Sequence, residues 1–149
     1  MTLLETTLAA NPLKEFVNVT KLHPILVNFT AALIPVSVAG DLLARLLKKD
    51  EFRITAWWTM LLGTIITPFT AIAGWLFWMD DDNGHVGMTV HKWLGTSLAV
   101  LIIGLFFWRR SFRQKRQPVG AAYLVVAILF VVALVVQGTL GGHQVFDGM

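Results

Sequence analysis

Four histidines are the residues of this sequence best suited to binding a metal ion or a haem iron. His23 precedes the first long apolar segment, His85 and His91 lie at the start of the third, and His143 follows the fourth. If the apolar segments cross a membrane in alternating directions, all four histidines come to one side of it. Imidazole nitrogens coordinate haem iron, zinc and copper. The sequence has no cysteine, which excludes disulfides, iron–sulfur clusters and thiolate-ligated haem.

The composition is typical of an integral membrane protein. Of the 149 residues, 56% are hydrophobic and only 14% are charged. Four apolar segments are long enough to cross a bilayer as helices, and they cover residues 25–47, 54–79, 91–108 and 119–140. They lack the period-two alternation of barrel strands. We therefore predict an all-α fold in which residues 1–149 form one membrane domain, a four-helix bundle.

The basic residues predict how the bundle is oriented. Of the 12 lysines and arginines, most lie in the first and third connections, which favours a cytoplasmic location for both. Both termini and the histidines then face the outer side of the membrane. The net charge of +3 is explained by this topology and does not indicate binding of nucleic acid.

The first 22 residues are too polar to cross the membrane. Asn11 and Pro12 are typical of a helix cap followed by the first helical turn. Leu13, Phe16 and Val17 would then share one face. This segment is either a short interfacial helix or a frayed terminus.

His23 and His91 are the preferred pair of ligands. His23 is followed by Pro24 at the start of the first long helix, and His91 begins the third at a comparable depth. The first and third helices of an up-down bundle are diagonal neighbours, so the two imidazoles could hold an iron in the bundle core. Gly95, one turn from His91, would leave room for a porphyrin, although the same glycine spacing serves ordinary helix packing equally well.

Two further residues are candidates for the same site. His143 follows Gly141 and Gly142, whose flexible backbone would turn it toward the bundle, as a substitute ligand or as part of a second site. Gln137 is placed to bond a quinone carbonyl or a haem propionate, although such residues more often join helices. Each histidine also has a plainer interpretation, as an interfacial residue bonded to water or lipid headgroups.

Two features within the spans favour structural roles. Asp41 is the only acidic residue inside a predicted span, and Arg45 follows at a salt-bridge spacing, so we predict an ion pair between them, with proton uptake as the alternative. A face of small residues in the second span favours close helix packing, with a flat cofactor as the alternative; it consists of Gly63, Thr67, Thr70 and Gly74. No internal repeat is evident.

Three blocks of the chain resemble domain-of-unknown-function family 2231, a family of bacterial membrane proteins. Residues 22–29 resemble its His-Pro-x-x-Val-His-Phe-Pro motif, 91–95 its His-Arg-x-x-Gly segment, and 140–148 its Gly-Gly-x-Leu-Val-Tyr-x-His-Gly ending. Members look like small b-type haem proteins, which implies electron transfer at the outer face of a bacterial inner membrane, with both termini in the periplasm. His23 and His91 match motif histidines, whereas Asn28 and Asp147 stand where the family has histidine. The resemblance therefore implies one haem b or none.

We expect an electron-transfer component, and not a self-contained enzyme, with one haem b held axially by His23 and His91. Its partner would be a quinol or a periplasmic cytochrome. Two alternatives stay open. One is a haem-free structural subunit of a larger respiratory or photosynthetic complex. The other is a zinc or copper site at the outer face, built from His85, His91, His143 and the aspartates at 80–82.

Overall fold

The computed structural model describes residues 11–77 and 86–146, without the side chains of 86–88 and 143–146. The described residues form five helices: α1 Pro12–Thr20, α2 Leu22–Leu47, α3 Asp50–Phe77, α4 Val86–Gln114 and α5 Ala121–Phe146. The last four are long and apolar enough to cross a membrane. The prediction of an all-helical protein with four spans is therefore confirmed.

The helices extend beyond the predicted apolar segments. α4 continues past Trp108 through the basic residues up to Gln114. α5 continues past Leu140 to Phe146, so the expected turn at Gly141 and Gly142 was wrong. A helix keeps its backbone hydrogen bonds after its side chains become polar, and the end of an apolar run therefore does not mark the end of the helix.

The four long helices pack in a ring, with α2 and α4 on one diagonal and α3 and α5 on the other. α3 packs against α2 and α4, and α5 packs against the same two helices from the opposite side. His23 and His91 lie at one end of this ring, which we call the histidine end. Asp41 and Arg109 lie near the opposite end, which we call the arginine end.

α2 and α3 approach each other closely along the predicted face of small residues. The Thr67 hydroxyl lies 3.4 Å and the Thr70 hydroxyl 3.1 Å from the hydroxyl of Thr30 on α2. At Gly63, an added Cβ would overlap the side chain of Ile34. The closest packing partner of this face is thus α2, as expected for hydroxyl and small side chains at a helix interface in a membrane.

The exposed surface of the ring is apolar. Residues such as Phe69, Val100 and Leu129 are about 60% exposed along the middle of their helices. Most buried residues are apolar as well, and Ile34, Met60 and Ile102 are fully buried. An apolar outer surface of this kind is suited to hydrocarbon as its solvent.

α1 confirms the helix that the sequence predicts after Asn11. The Asn11 side chain accepts hydrogen bonds from the backbone N–H groups of Leu13 and Lys14, at 3.1 and 3.4 Å. Val17 is buried against the long helices, whereas Leu13 and Phe16 remain exposed. The three residues therefore do not share one environment, because only Val17 faces the bundle.

Candidate metal centre

His23 is fixed against α3 by one hydrogen bond and one glycine. Its Nδ1 lies 3.0 Å from the backbone carbonyl oxygen of Thr70. Because a carbonyl oxygen can only accept, Nδ1 carries the proton and Nε2 keeps its lone pair in the neutral ring. One turn further along α3, a Cβ added to Gly74 would lie 2.8 Å from Cε1 of the imidazole. The ring therefore lies in a space that only glycine leaves open.

His91 is fixed against α5 in the same way. Its Nδ1 donates to the backbone carbonyl oxygen of Gln137 at 3.2 Å. A Cβ added to Gly141, one turn further along α5, would lie 2.6 Å from Cε1 of the ring. When it is neutral, this imidazole also has a protonated Nδ1 and a lone pair on Nε2, which lies 3.4 Å from the side-chain nitrogen of Gln137.

The two histidines belong to an internal repeat that is visible in the contacts. In each helical hairpin, α2–α3 and α4–α5, a histidine of the first helix donates to a backbone carbonyl of the second helix. The imidazole also packs on a glycine that lies four residues after that carbonyl on the second helix. His23 and His91 are 68 positions apart, as are Asp41 and Arg109, which form an ion pair at the other end. The two hairpins thus place corresponding residues opposite each other.

The two imidazoles meet inside the ring of helices, across the diagonal between α2 and α4. Their ring centres are 6.4 Å apart and their planes are perpendicular, at 90°. Metal–imidazole bonds are about 2.0 Å long, so one metal between two opposed rings places the ring centres about 6 Å apart. The observed separation fits one metal atom bound by both histidines.

The space around Gly95 differs from the sequence-based expectation. A Cβ on Gly95 would lie 2.8 Å from the Gln137 side-chain nitrogen, so Gln137 occupies the room that was assigned to a porphyrin. Gln137 donates from Nε2 to the backbone oxygen of His91 at 2.9 Å, and its Oε1 has no partner among the described residues. It therefore joins α4 to α5, which was the structural alternative.

The cavity bordered by the two histidines is small. It has a volume of about 30 Å³ and is lined by residues of α2, α3, α4 and α5. This is space for a few water molecules at most and is less than a porphyrin needs. The volume is sufficient for a bare metal ion, whereas a haem would require the lining side chains to move.

Other candidate ligands lie elsewhere or outside the described part of the chain. Asn28, at a family histidine position, is exposed on the outside of α2 and does not border the cavity. His85, Asp147 and the aspartates at 80–82 lie outside the described residues, and the side chain of His143 does as well. Among the side chains that the structure describes, no group of three metal ligands is found.

At the arginine end, Asp41 forms a buried ion pair with Arg109. The Asp41 carboxylate accepts two hydrogen bonds of 2.7 Å, from Nε and Nη2 of the Arg109 guanidinium. The side chains are 1% and 2% exposed. The predicted pair with Arg45 was wrong, since Arg45 instead donates to the backbone oxygen of Val119 at 2.9 Å. Arg109 follows the predicted third span, which ends at residue 108, and was therefore expected in the connection. α4 continues to Gln114, so Arg109 lies within the helix and is buried.

The glycines beneath the imidazoles give a first testable prediction. We expect Gly74→Ala and Gly141→Ala each to lower the free energy of unfolding by about 1–3 kcal/mol, because the added methyl group overlaps a ring that its Nδ1 hydrogen bond holds in place. The measurement is unfolding in mixed micelles at increasing SDS. Gly104→Ala and Gly138→Ala are matched controls, because a Cβ at those positions meets nothing within 4 Å. Equal losses at all four positions would show that the rings do not depend on glycine.

Comparison with known protein families supports the interpretation of this chain as a membrane protein. Searches of curated proteins and of solved structures gave no match to this chain. A family model described as "Predicted membrane protein (DUF2231)" matches residues 20–148, which include all four long helices completely. The chain is therefore a member of the DUF2231 family of membrane proteins.

Proposed function

We propose that this protein is a membrane electron-transfer component in which His23 and His91 are the axial ligands of one haem b. The observation that carries the proposal is the pairing of the two imidazoles. They face each other across one cavity with 6.4 Å between their ring centres, and each is fixed through Nδ1 to a backbone carbonyl. Metal-bound histidines characteristically donate their second ring nitrogen in this way.

The donor chemistry of the site fits a haem iron. Both Nε2 atoms carry a lone pair in the neutral rings, although that of His91 lies 3.4 Å from the Gln137 side-chain nitrogen and would exchange this contact for the metal. The Nδ1 hydrogen bonds set the tautomer and increase the basicity of each ring. When bound, haem supplies a one-electron couple between its ferric and ferrous states. The resemblance to b-type haem proteins is what favours iron porphyrin over other metal groups at this pair.

The chain contributes the orientation of the two rings. Thr70 and Gln137 fix the two rings through backbone oxygens, so substitution of their side chains leaves these bonds in place. Gly74 and Gly141 leave the space in which the two rings lie, because a Cβ at either position would overlap the imidazole. Ligand type, hydrogen bonding and burial are the properties by which a protein adjusts a haem potential.

We propose a bacterial inner membrane as the location, with the histidine end and both chain termini at the periplasmic side. The distribution of lysine and arginine supports this orientation, since the arginine end carries most of them. The redox partner would then be a quinol or a periplasmic cytochrome. A larger respiratory or photosynthetic complex would be a further partner.

A second candidate is a bare copper ion at the same pair of histidines. The observation in its favour is the cavity volume of about 30 Å³, which accepts an ion but not a macrocycle. Imidazole is a suitable ligand for copper, and copper(I) accepts linear coordination by two donors. Zinc is usually bound by four ligands, so a zinc site would need additional donors.

The angle between the imidazole planes makes the haem proposal testable by electron paramagnetic resonance. Ferric low-spin haem with perpendicular axial imidazoles gives one large-g signal, whereas parallel planes give a rhombic spectrum of three lines. From the 90° angle we expect the large-g signal in the oxidised protein. A rhombic spectrum would contradict the proposed arrangement of His23 and His91. A copper(II) signal without haem would favour the second candidate.

A further inference from the structure

We propose that the arginine end contains a binding site for the phosphate group of an anionic phospholipid. An open cavity of about 460 Å³ lies between the start of α3, the end of α4 and the connection to α5. Four arginines line it: Arg53, Arg109, Arg113 and Arg116. Guanidinium groups bind phosphate oxygens through pairs of parallel hydrogen bonds, and a cluster of them is a typical phosphate site. We call this cavity the arginine pocket.

The charges of the arginine pocket are not balanced by the protein. Asp50 forms an ion pair with Arg53, and Asp41 forms one with Arg109. Arg113 and Arg116 have no carboxylate partner among the residues that the structure describes. Two of the four guanidinium groups are thus paired with carboxylates, and two positive charges remain. These charges match one phosphate monoester, which carries two negative charges, or one or two phosphodiesters, which carry one each.

Two of the arginines are held in place before any ligand binds. Arg109 is 2% exposed and uses Nε and Nη2 for Asp41, so Nη1 remains for a ligand in the pocket. The Arg113 guanidinium lies 4.1 Å from the centre of the Trp57 ring, a cation–π contact that restricts its movement. A site whose donors are already positioned loses less conformational entropy when it binds.

Arg116 lies in a backbone conformation that normally selects glycine. Its φ is 53°, and it ends α4 with bonds from its own N–H to the Arg113 oxygen and from the Gln117 N–H to the Phe112 oxygen, at 3.0 Å each. This is a helix C-cap in which glycine is the common residue. The chain instead has an arginine here, as it has lysine in the same conformation at Lys21 and Lys48, and the Arg116 side chain is the one of these three that borders the pocket.

The walls of the pocket favour a lipid over a soluble phosphate. Beside the arginines it is lined by the apolar groups of Ile54, Trp57, Phe112 and Val119. Ile54 is 58% exposed, so the apolar surface continues from the pocket onto the outside of the bundle. A molecule with a phosphate headgroup and acyl chains would contact both the arginines and this apolar surface. The cytoplasmic leaflet, where we place this end, is rich in such lipids.

The test uses the full-length protein released from nanodiscs and analysed by native mass spectrometry. One set of nanodiscs contains phosphatidylglycerol with phosphatidylcholine, and a second set contains phosphatidylcholine alone with millimolar inorganic phosphate. We expect wild-type protein to retain phosphatidylglycerol in preference to phosphatidylcholine. Arg113→Gln and Arg116→Gly should each lower this retention about fivefold, the effect of one arginine near a lipid phosphate.

Two of the variants separate binding from folding. Arg116→Gly places the preferred residue at the helix cap, so it should leave unfolding unchanged or make the protein more stable while it lowers lipid retention. Arg110→Gln is the matched control, because Arg110 is exposed on the same helix and does not line the pocket. It should retain the lipid as wild type does.

The possible outcomes separate three cases: a site for a lipid phosphate, a site for a soluble phosphate, and no specific site. Retention of phosphatidylglycerol that depends on Arg113 and Arg116 supports the lipid site. Stabilisation by inorganic phosphate that depends on the same arginines, without lipid preference, supports the phosphate site with a soluble phosphate ester as its ligand. An equal loss in Arg110→Gln, or no preference for either phosphate source, would overturn the proposal in favour of a general attraction of basic residues to the membrane.

Discussion

Arg109→Leu is expected to lower the free energy of unfolding by about 3–5 kcal/mol, the largest effect that we predict for a single substitution on stability. The variant leaves the Asp41 carboxylate buried, 1% exposed, without the guanidinium that donates two hydrogen bonds to it. It also removes the bond from Arg109 to the backbone oxygen of Arg53, which joins α4 to α3. The measurement is SDS-induced unfolding in mixed micelles.

The double variant Asp41→Leu with Arg109→Leu is the control for this prediction. Replacement of both partners of a buried ion pair by apolar residues is often neutral, so the double variant should recover most of the loss. Arg45→Leu should cost only about 1 kcal/mol, because it removes one hydrogen bond to a backbone oxygen. If Arg45→Leu were as destabilising as Arg109→Leu, Asp41 would have a different partner from the one in the structure.

His23→Ala and His91→Ala are expected to abolish the low-spin haem spectrum, each by itself. Either variant removes one of the two imidazoles that face the cavity, and one axial ligand does not produce the low-spin state of a bis-histidine haem. The measurement is the visible spectrum of oxidised and reduced protein, together with the haem content per chain.

Two other substitutions test whether the pair has been identified correctly. Asn28→Ala should keep the spectrum, because Asn28 is exposed on the outside of α2. His143→Ala should also keep it, although the sequence suggested His143 as a substitute ligand. Loss of the spectrum in His143→Ala, with retention in either His23→Ala or His91→Ala, would replace one member of the proposed pair.

The positions of the two histidines could be predicted from simple geometry. Alternating spans place His23 and His91 at the same end of the bundle, and a ring of four helices makes α2 and α4 diagonal. These two statements need only the order and length of the apolar segments. The Asn11 cap could also be predicted, because its hydrogen bonds are made within three residues of the chain.

The partner of Asp41 could not be predicted in the same way. A salt-bridge spacing within one helix pointed to Arg45, but a buried carboxylate bonds to the guanidinium that the packing brings to it. Arg109 is 68 positions away on α4 and lies beyond the apolar segment. The end of that segment gave no indication that the helix continues and remains buried at Arg109.

The internal repeat was missed for a related reason. Thr70 and Gln137 have the same role in the two hairpins, because each accepts a histidine hydrogen bond with its backbone oxygen. A backbone oxygen is present in every residue, so the two positions need not have the same side chain. Asp41 and Arg109 correspond in position but have opposite charges, which is what allows them to form an ion pair. Gly74 and Gly141 are identical, but a glycine in a membrane helix most often indicates close helix packing. The repeat is one of contacts and not of residue types.

The most direct test of the haem proposal is a reduced-minus-oxidised visible spectrum of the wild-type protein, purified gently from its own membrane. We expect a sharp b-type α band and one haem per chain, and the same spectrum after the purified protein is supplied with excess haem. Folded protein that shows no haem band under either condition would contradict haem binding by His23 and His91. The proposal would then pass to a copper site if metal analysis finds that ion, and otherwise to a haem-free structural subunit.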